Sequence, residues 1–127
     1  MRVLVVDDNR DIVTTMVALL RTQGHETREC YHGSEVLPAV REFDPDVVLL
    51  DLGLPGESGW ELARQLRKLG NRRDEQNAGS RPMLIAITGE YTTAADKIQG
   101  EMAGFDCYLL KPADPNVLLA VLAKARE

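Results

Sequence analysis

Five short stretches that favour extended structure alternate with longer stretches of helical periodicity, and this alternation constrains the fold more than any other property of the chain. The opening RVLVVDDN is a β-branched run ending in acids. It leads into NRDIVTTMVALLRTQGHE, where Ile12, Val13, Met16, Leu19 and Leu20 recur at helical spacing and Gly24 reads as the stop. HETREC is a polar-rich second strand, followed by a helix over GSEVLPAVREF that keeps Pro38 near its first turn, where proline is tolerated. DVVLLD is the third strand, continuously apolar as expected when both faces are covered. SGWELARQLRKLG reads as a third helix with Leu62, Leu66 and Leu69 on its apolar side, and Trp60 at its start is assigned to packing. From Gly70 to Pro82 the chain is polar and punctuated by Gly and Pro, which reads as a long surface loop and a flexible tip. MLIAIT, TTAADKIQGEMAG, CYLLK and DPNVLLAVLAKARE supply strand four, helix four, strand five and helix five. Asp114 is a good N-cap for the last of these, with Pro115 at its first position.

Strands alternating with helices imply a parallel sheet covered on both faces, an α/β architecture of the doubly wound type with five strands. A chain of 127 residues suits one core, so residues 1–127 are expected to form a single domain. In such folds ligands collect outside the carboxyl ends of the strands, where the strand order reverses.

Other properties narrow the function by exclusion. The formal net charge is −5 and the cations are scattered apart from Arg72 and Arg73, so there is no basic footprint for direct nucleic-acid binding. Neither end has the apolar run of a signal peptide or membrane span, which points to the cytoplasm and against membrane insertion. Cys30 and Cys107 stand 77 positions apart with no CxxC, suggesting buried free thiols. His25 and His32 fall away from the strand ends that carry the acids and read as surface or strand-end residues.

Asp7 and Asp8 end strand one, Asp51 ends strand three, Thr88 ends strand four and Lys111 ends strand five, so all five map to one rim. Each alone has a plain explanation: Asp8 or Asn9 as a helix cap, Asp51 as acceptor for turn amides, Thr88 bonded to its own backbone, Lys111 as a solvated charge. Together, three carboxylates on one rim repel each other unless a cation sits among them. Mg²⁺ is the natural choice, a hard ion that prefers carboxylate oxygens and retains waters. A metal-loaded carboxylate flanked by a hydroxyl and an ammonium suits phosphoryl transfer, which depends on positioning and charge neutralisation. Asp51 can itself be the nucleophile, giving an aspartyl-phosphate.

These motifs in this order, VLVVDDN, PDVVLLDLGLPGESGWEL, IAITG and GFDCYLLKP, resemble the receiver domains of two-component response regulators from end to end. The resemblance implies a flavodoxin-like (βα)5 fold with strand order 2-1-3-4-5. It further implies Asp51 as phosphoacceptor, Asp7 and Asp8 as the acidic pair holding Mg²⁺, and the Gly53 backbone carbonyl as a further metal ligand. Thr88 and Lys111 would each meet a phosphoryl oxygen, and the peptide bond before Pro112 is usually cis in the family. Tyr108, three before Lys111, looks like the switch aromatic that turns inward when Thr88 is drawn to the phosphoryl group, altering the surface of helix four, strand five and helix five. The positions that tune phosphoryl lifetime correspond to Gly53 and Glu90, and this pair suggests a short-lived to intermediate acyl phosphate. Thr88 stands 37 positions after Asp51, several more than usual in the family, and the surplus falls in GNRRDEQNAGSRP.

The implied partner is a sensor histidine kinase or a histidine phosphotransfer protein. The chain would then be a phosphoacceptor catalysing its own phosphorylation and dephosphorylation rather than an enzyme in the usual sense. A haloacid-dehalogenase-type phosphatase requires a second aspartate two positions after the nucleophile, where Gly53 stands. A flavin-phosphate binder would not place Asp7 and Asp8 against a phosphate without a metal. A non-phosphorylated interaction module is the remaining alternative, though every chemical position is filled. The ending GFDCYLLKPADPNVLLAVL looks most like receivers attached to hybrid sensor kinases, while Met1 permits a stand-alone regulator.

Overall fold

The computed structural model describes residues 1–54, 56, 58–74, 82–89, 104–111 and 113–125. Strands β1 (Arg2–Val6), β2 (Glu26–Cys30), β3 (Val47–Asp51), β4 (Met83–Thr88) and β5 (Cys107–Leu110) form one sheet in the order β2-β1-β3-β4-β5. Every pairing is parallel. Helix α1 spans Arg10–Thr22, a 3-10 turn over Gly33–Glu35 runs into α2 (Val36–Phe43), α3 spans Gly59–Asp74, and a closing helix spans Pro115–Ala125. The expected fourth helix lies outside the described residues except for Gly104, and so do Glu90 and Pro112.

Side chains alternate across the strands, dividing the core in two. Val3, Val5, Val47, Leu49, Ile85 and Ile87 face α1 (Val13, Met16, Val17, Leu20) and the closing helix (Leu118, Leu122). Leu4, Val6, Val48, Leu50, Leu84 and Ala86 face α2 (Val36, Ala39, Val40) and α3 (Leu62, Ala63, Leu66). The continuous apolar run in β3 is thus accounted for, since all five of its residues are buried. At the sheet edge β2 is half-exposed, and exposed ion pairs flank it: Arg2–Glu26, Arg21–Glu29 and Arg28–Glu42.

Spacing in the sequence ends the third helix at Gly70, but α3 continues to Asp74. One interior glycine costs a helix about 1 kcal/mol relative to alanine, which buried Leu62, Ala63 and Leu66 readily offset. His25 stands at a strand end, directly before β2, as expected, and it is buried there with its Nδ1 3.2 Å from the Met1 amino group. The cause is the left-handed turn at Gly24 (φ 83°), which folds the chain back so that the His25 N–H donates to the Leu20 carbonyl.

At the end of the sheet away from the acids, Arg67 ties α3 to the starts of β4 and β5. Its side chain is only 12% exposed; it donates to the Pro82 and Gly104 carbonyls, each at 2.8 Å, and pairs with Asp106, whose carboxylate also accepts the Leu84 N–H. Gly104 has φ 105°, and a Cβ there would lie 2.5 Å from Arg67 Cγ, so no other residue fits without displacement.

The two thiols differ in burial, with Cys30 enclosed and Cys107 half-exposed. Burial, reinforced by the charge of Glu35, pushes Cys30 up to about 11. In native protein at mildly alkaline pH, iodoacetamide is expected to label Cys107 first and to leave Cys30 untouched until the protein unfolds. Peptide mass mapping checks this, and equal labelling rates would contradict the burial of Cys30.

Candidate metal and phosphoacceptor site

Because β1 and β3 are neighbours in register, Asp7 just past β1 and Asp51 at the end of β3 emerge side by side. Both are buried, at 3% and 4% exposure, while Asp8 faces solvent. Each of the three offers a carboxylate oxygen, and these oxygens lie within 4.8 Å of one another. Lys111 follows β5 and reaches across: its Nζ is 2.9 Å from Asp7 Oδ2 and 3.1 Å from Asp51 Oδ2. The other oxygens are occupied by main chain, Asp7 Oδ1 accepting the Asn9 N–H and Asp51 Oδ1 accepting the Gly53 N–H, both at 2.9 Å.

Asn9 is the residue that caps α1, its Oδ1 accepting from the Asp11 and Ile12 N–H groups. It therefore fixes the first turn of the helix and, through its own N–H, the orientation of Asp7. Thr88 ends β4 opposite Leu110, and the Lys111 N–H donates to the Thr88 carbonyl at 2.8 Å, so the sheet's own ladder brings these two residues together.

Burial raises the Asp51 carboxyl above its usual range, and the charge of Asp7 acts in the same direction; the Gly53 N–H and Lys111 oppose them without cancelling the rise. For Lys111, burial alone would lower the ammonium, but its hydrogen bonds and charge contacts with Asp7 and Asp51 prevail and hold it above 10.5. Lys111's contribution to stability is complete below 10.5 and is lost as pH rises through its higher folded value. The Lys111 ammonium pairs with two of the three clustered carboxylates, Asp7 and Asp51, so the cluster carries two negative charges in excess. A divalent cation balances that excess, and oxygens around Mg²⁺ stand about 3–4 Å apart, so the donor set fits after a slight closure.

Tyr108 is half-buried on β5 and faces the α3 side of the sheet. Its ring centroid lies 6.3 Å from that of Trp60 and 5.8 Å from that of Phe105, while Trp60 meets Phe105 edge-on at 5.6 Å. Trp60 is a packing residue as expected, but its contact with Tyr108 is not evident from spacing. The Arg67 network is likewise missing from the sequence reading; its signal is a lone arginine beside Leu66 on the buried stripe of α3.

The family model described as response regulator receiver domain matches residues 3–123. The DNA-binding response regulator MtrA of Mycolicibacterium smegmatis is 38% identical over 127 residues, covering 99% of this chain and 51% of MtrA. Protein PilH of Pseudomonas aeruginosa is 32% identical over 121 residues, covering 95% of this chain and 93% of PilH. The chain thus spans about half the length of the MtrA relatives it matches. Among solved structures, the CheY-like receiver domain protein from Methanospirillum hungatei JF-1 superposes with a TM-score of 0.83 at 27% identity, covering 97% of this chain and 90% of that one. Chemotaxis response regulator CheY4 of Vibrio cholerae gives 0.82 at 26% identity, covering 98% and 97%. Sheet order, acidic rim and sequence agree, and the chain belongs to the response regulator receiver domain family, whose members act in phosphorylation-based two-component signalling.

Proposed function

We propose that residues 1–127 form a single phosphorelay receiver that accepts a phosphoryl group from a phosphohistidine onto Asp51 in a Mg²⁺-dependent reaction. The observation that carries this reading is the buried Asp51 carboxylate held against Lys111, with Asp7 and Asp8 beside it. The donor is a sensor histidine kinase or a histidine phosphotransfer protein. An Asp51 oxygen forms the new bond to phosphorus as the bond to the donor's imidazole nitrogen breaks, and the departing imidazole keeps that electron pair and takes a proton from solvent.

Asp7, Asp8, Asp51 and the Gly53 carbonyl hold Mg²⁺, which when bound neutralises charge on the phosphoryl oxygens. Lys111 supplies a second positive charge and Thr88 a hydroxyl to the same oxygens. The domain catalyses its own phosphorylation and dephosphorylation, with Gly53 and Glu90 setting the lifetime. A side chain at position 53 would start 3.4 Å from Asp51 Oδ1, close enough to shield the acyl phosphate. Thr88 and Tyr108 switch the surface made by β5, the closing helix and the segment between β4 and β5. The domain works in the cytoplasm with protein partners, without direct nucleic-acid contact or membrane insertion; among the described residues no helix is long and apolar enough to cross a membrane.

Intact-protein mass after incubation with acetyl phosphate tests the reading. One phosphoryl adduct, mapped to Asp51 and formed with Mg²⁺ but not with chelator, is expected. An adduct indifferent to chelator, or one on another residue, would remove it.

A further inference from the structure

The switch described above passes from Asp51 to Tyr108 through Thr88, but packing on the α3 side of the sheet offers a separate line of contact. Leu52 directly follows Asp51, its N–H donates to the Ile87 carbonyl at 3.0 Å, and its side chain packs on the α3-side core. Helix α3 starts on top of it. A Cβ built on Gly59 would be 2.6 Å from Leu52 Cδ2 and 3.2 Å from Leu52 Cα, so no slack remains between the first turn of α3 and the residue next to the acceptor. The following residue is Trp60, whose ring closes a triangle with Phe105 and Tyr108. At its other end α3 is held by Arg67 to Gly104 and Asp106.

Close-packed contacts pass small displacements on rather than absorbing them. We propose that Leu52, Gly59 and Trp60 form a second coupling line from Asp51 to Tyr108, independent of the Thr88 hydroxyl, with the first turn of α3 as its moving part. A displacement of Leu52 shifts Gly59 and Trp60, and the Trp60 ring biases the position of Tyr108. The proposal rests on Asp51 being the phosphoacceptor.

Incorporation of 3-fluorotyrosine tests it, since the chain has three tyrosines and Tyr108→Phe assigns the resonance of interest. Fluorine spectra are recorded with Mg²⁺ before and after acetyl phosphate, and intact mass measures the adduct in each sample. With the adduct present, Thr88→Ala is expected to retain roughly a third or more of the wild-type Tyr108 shift, and Thr88→Ala combined with Trp60→Leu to lose it. Trp60→Phe should restore the shift in that background, and Leu52→Ala should act as Trp60→Leu does while leaving the tryptophan in place. A full adduct on Thr88→Ala with no Tyr108 shift would overturn the second line alone, as would a shift insensitive to both Trp60→Leu and Leu52→Ala. Absence of any adduct on wild type would remove the acceptor reading and the proposal with it.

Discussion

The Asp51→Asn protein is expected to take up no phosphoryl group and yet, in chelator at neutral pH, to unfold at a higher temperature than wild type. The first effect follows from removing the nucleophilic oxygen. The second follows from burial: the folded Asp51 carboxyl lies above 3.8, so the folded state binds its proton more tightly than the unfolded state. Stability from this group is present below 3.8, falls as pH rises through the folded value, and is replaced by a full penalty at neutral pH. Asparagine carries no such penalty, and Lys111 keeps Asp7 as its partner. The melting temperature should therefore rise, the direction set by the burial of the carboxylate. The gap should close in acid, where Asp51 is protonated in both states. It should also narrow in Mg²⁺, which stabilises wild type by binding its folded form. Calorimetry across pH, with and without the metal, checks all three; a variant melting below wild type in chelator would show that the Lys111 pairing outweighs burial.

Arg67→Ala should cause the largest loss of stability. Its guanidinium serves two main-chain carbonyls and the Asp106 carboxylate from an almost buried position; its removal takes that donor from both carbonyls, while Asp106 keeps the Leu84 N–H and solvent. Each carbonyl left without its donor costs about 1 kcal/mol or more and the half-exposed Asp106 pair adds little, so about 2–3 kcal/mol should be lost of the 5–15 kcal/mol typical of a domain. A drop in melting temperature of roughly 10 °C is therefore expected. Arg67→Lys should recover only part, because an ammonium cannot reproduce the planar fork. Urea titration reads the effect directly, and a change under 1 kcal/mol, about the worth of an exposed ion pair, would mean the network is solvated in practice.

The sheet and its rim were legible because their signals are local. A β-branched run followed by an acid states both the strand and the place where its carboxylate emerges, and the parallel register then puts Asp7 beside Asp51 without further information. Helix α1 was equally legible through its periodicity, though Val17 joins the buried face and Ile12 and Leu19 lie only at its margin. What stayed hidden depends on contacts distant in sequence. Arg67 and Asp106 are 39 positions apart, and neither announces a partner. The enclosure of His25 depends on the chain end folding against it, and the continuation of α3 past Gly70 depends on packing that propensity does not record.

The charges flanking β2 have a consequence of another kind. An edge strand presents unpaired N–H and C=O groups that can template pairing with a second chain. Exposed ion pairs such as Arg2–Glu26 and Arg28–Glu42 add little to a melting curve, but they line this edge with groups that are costly to desolvate. Their effect belongs to crowded solution, where they keep one molecule's sheet from extending into the next.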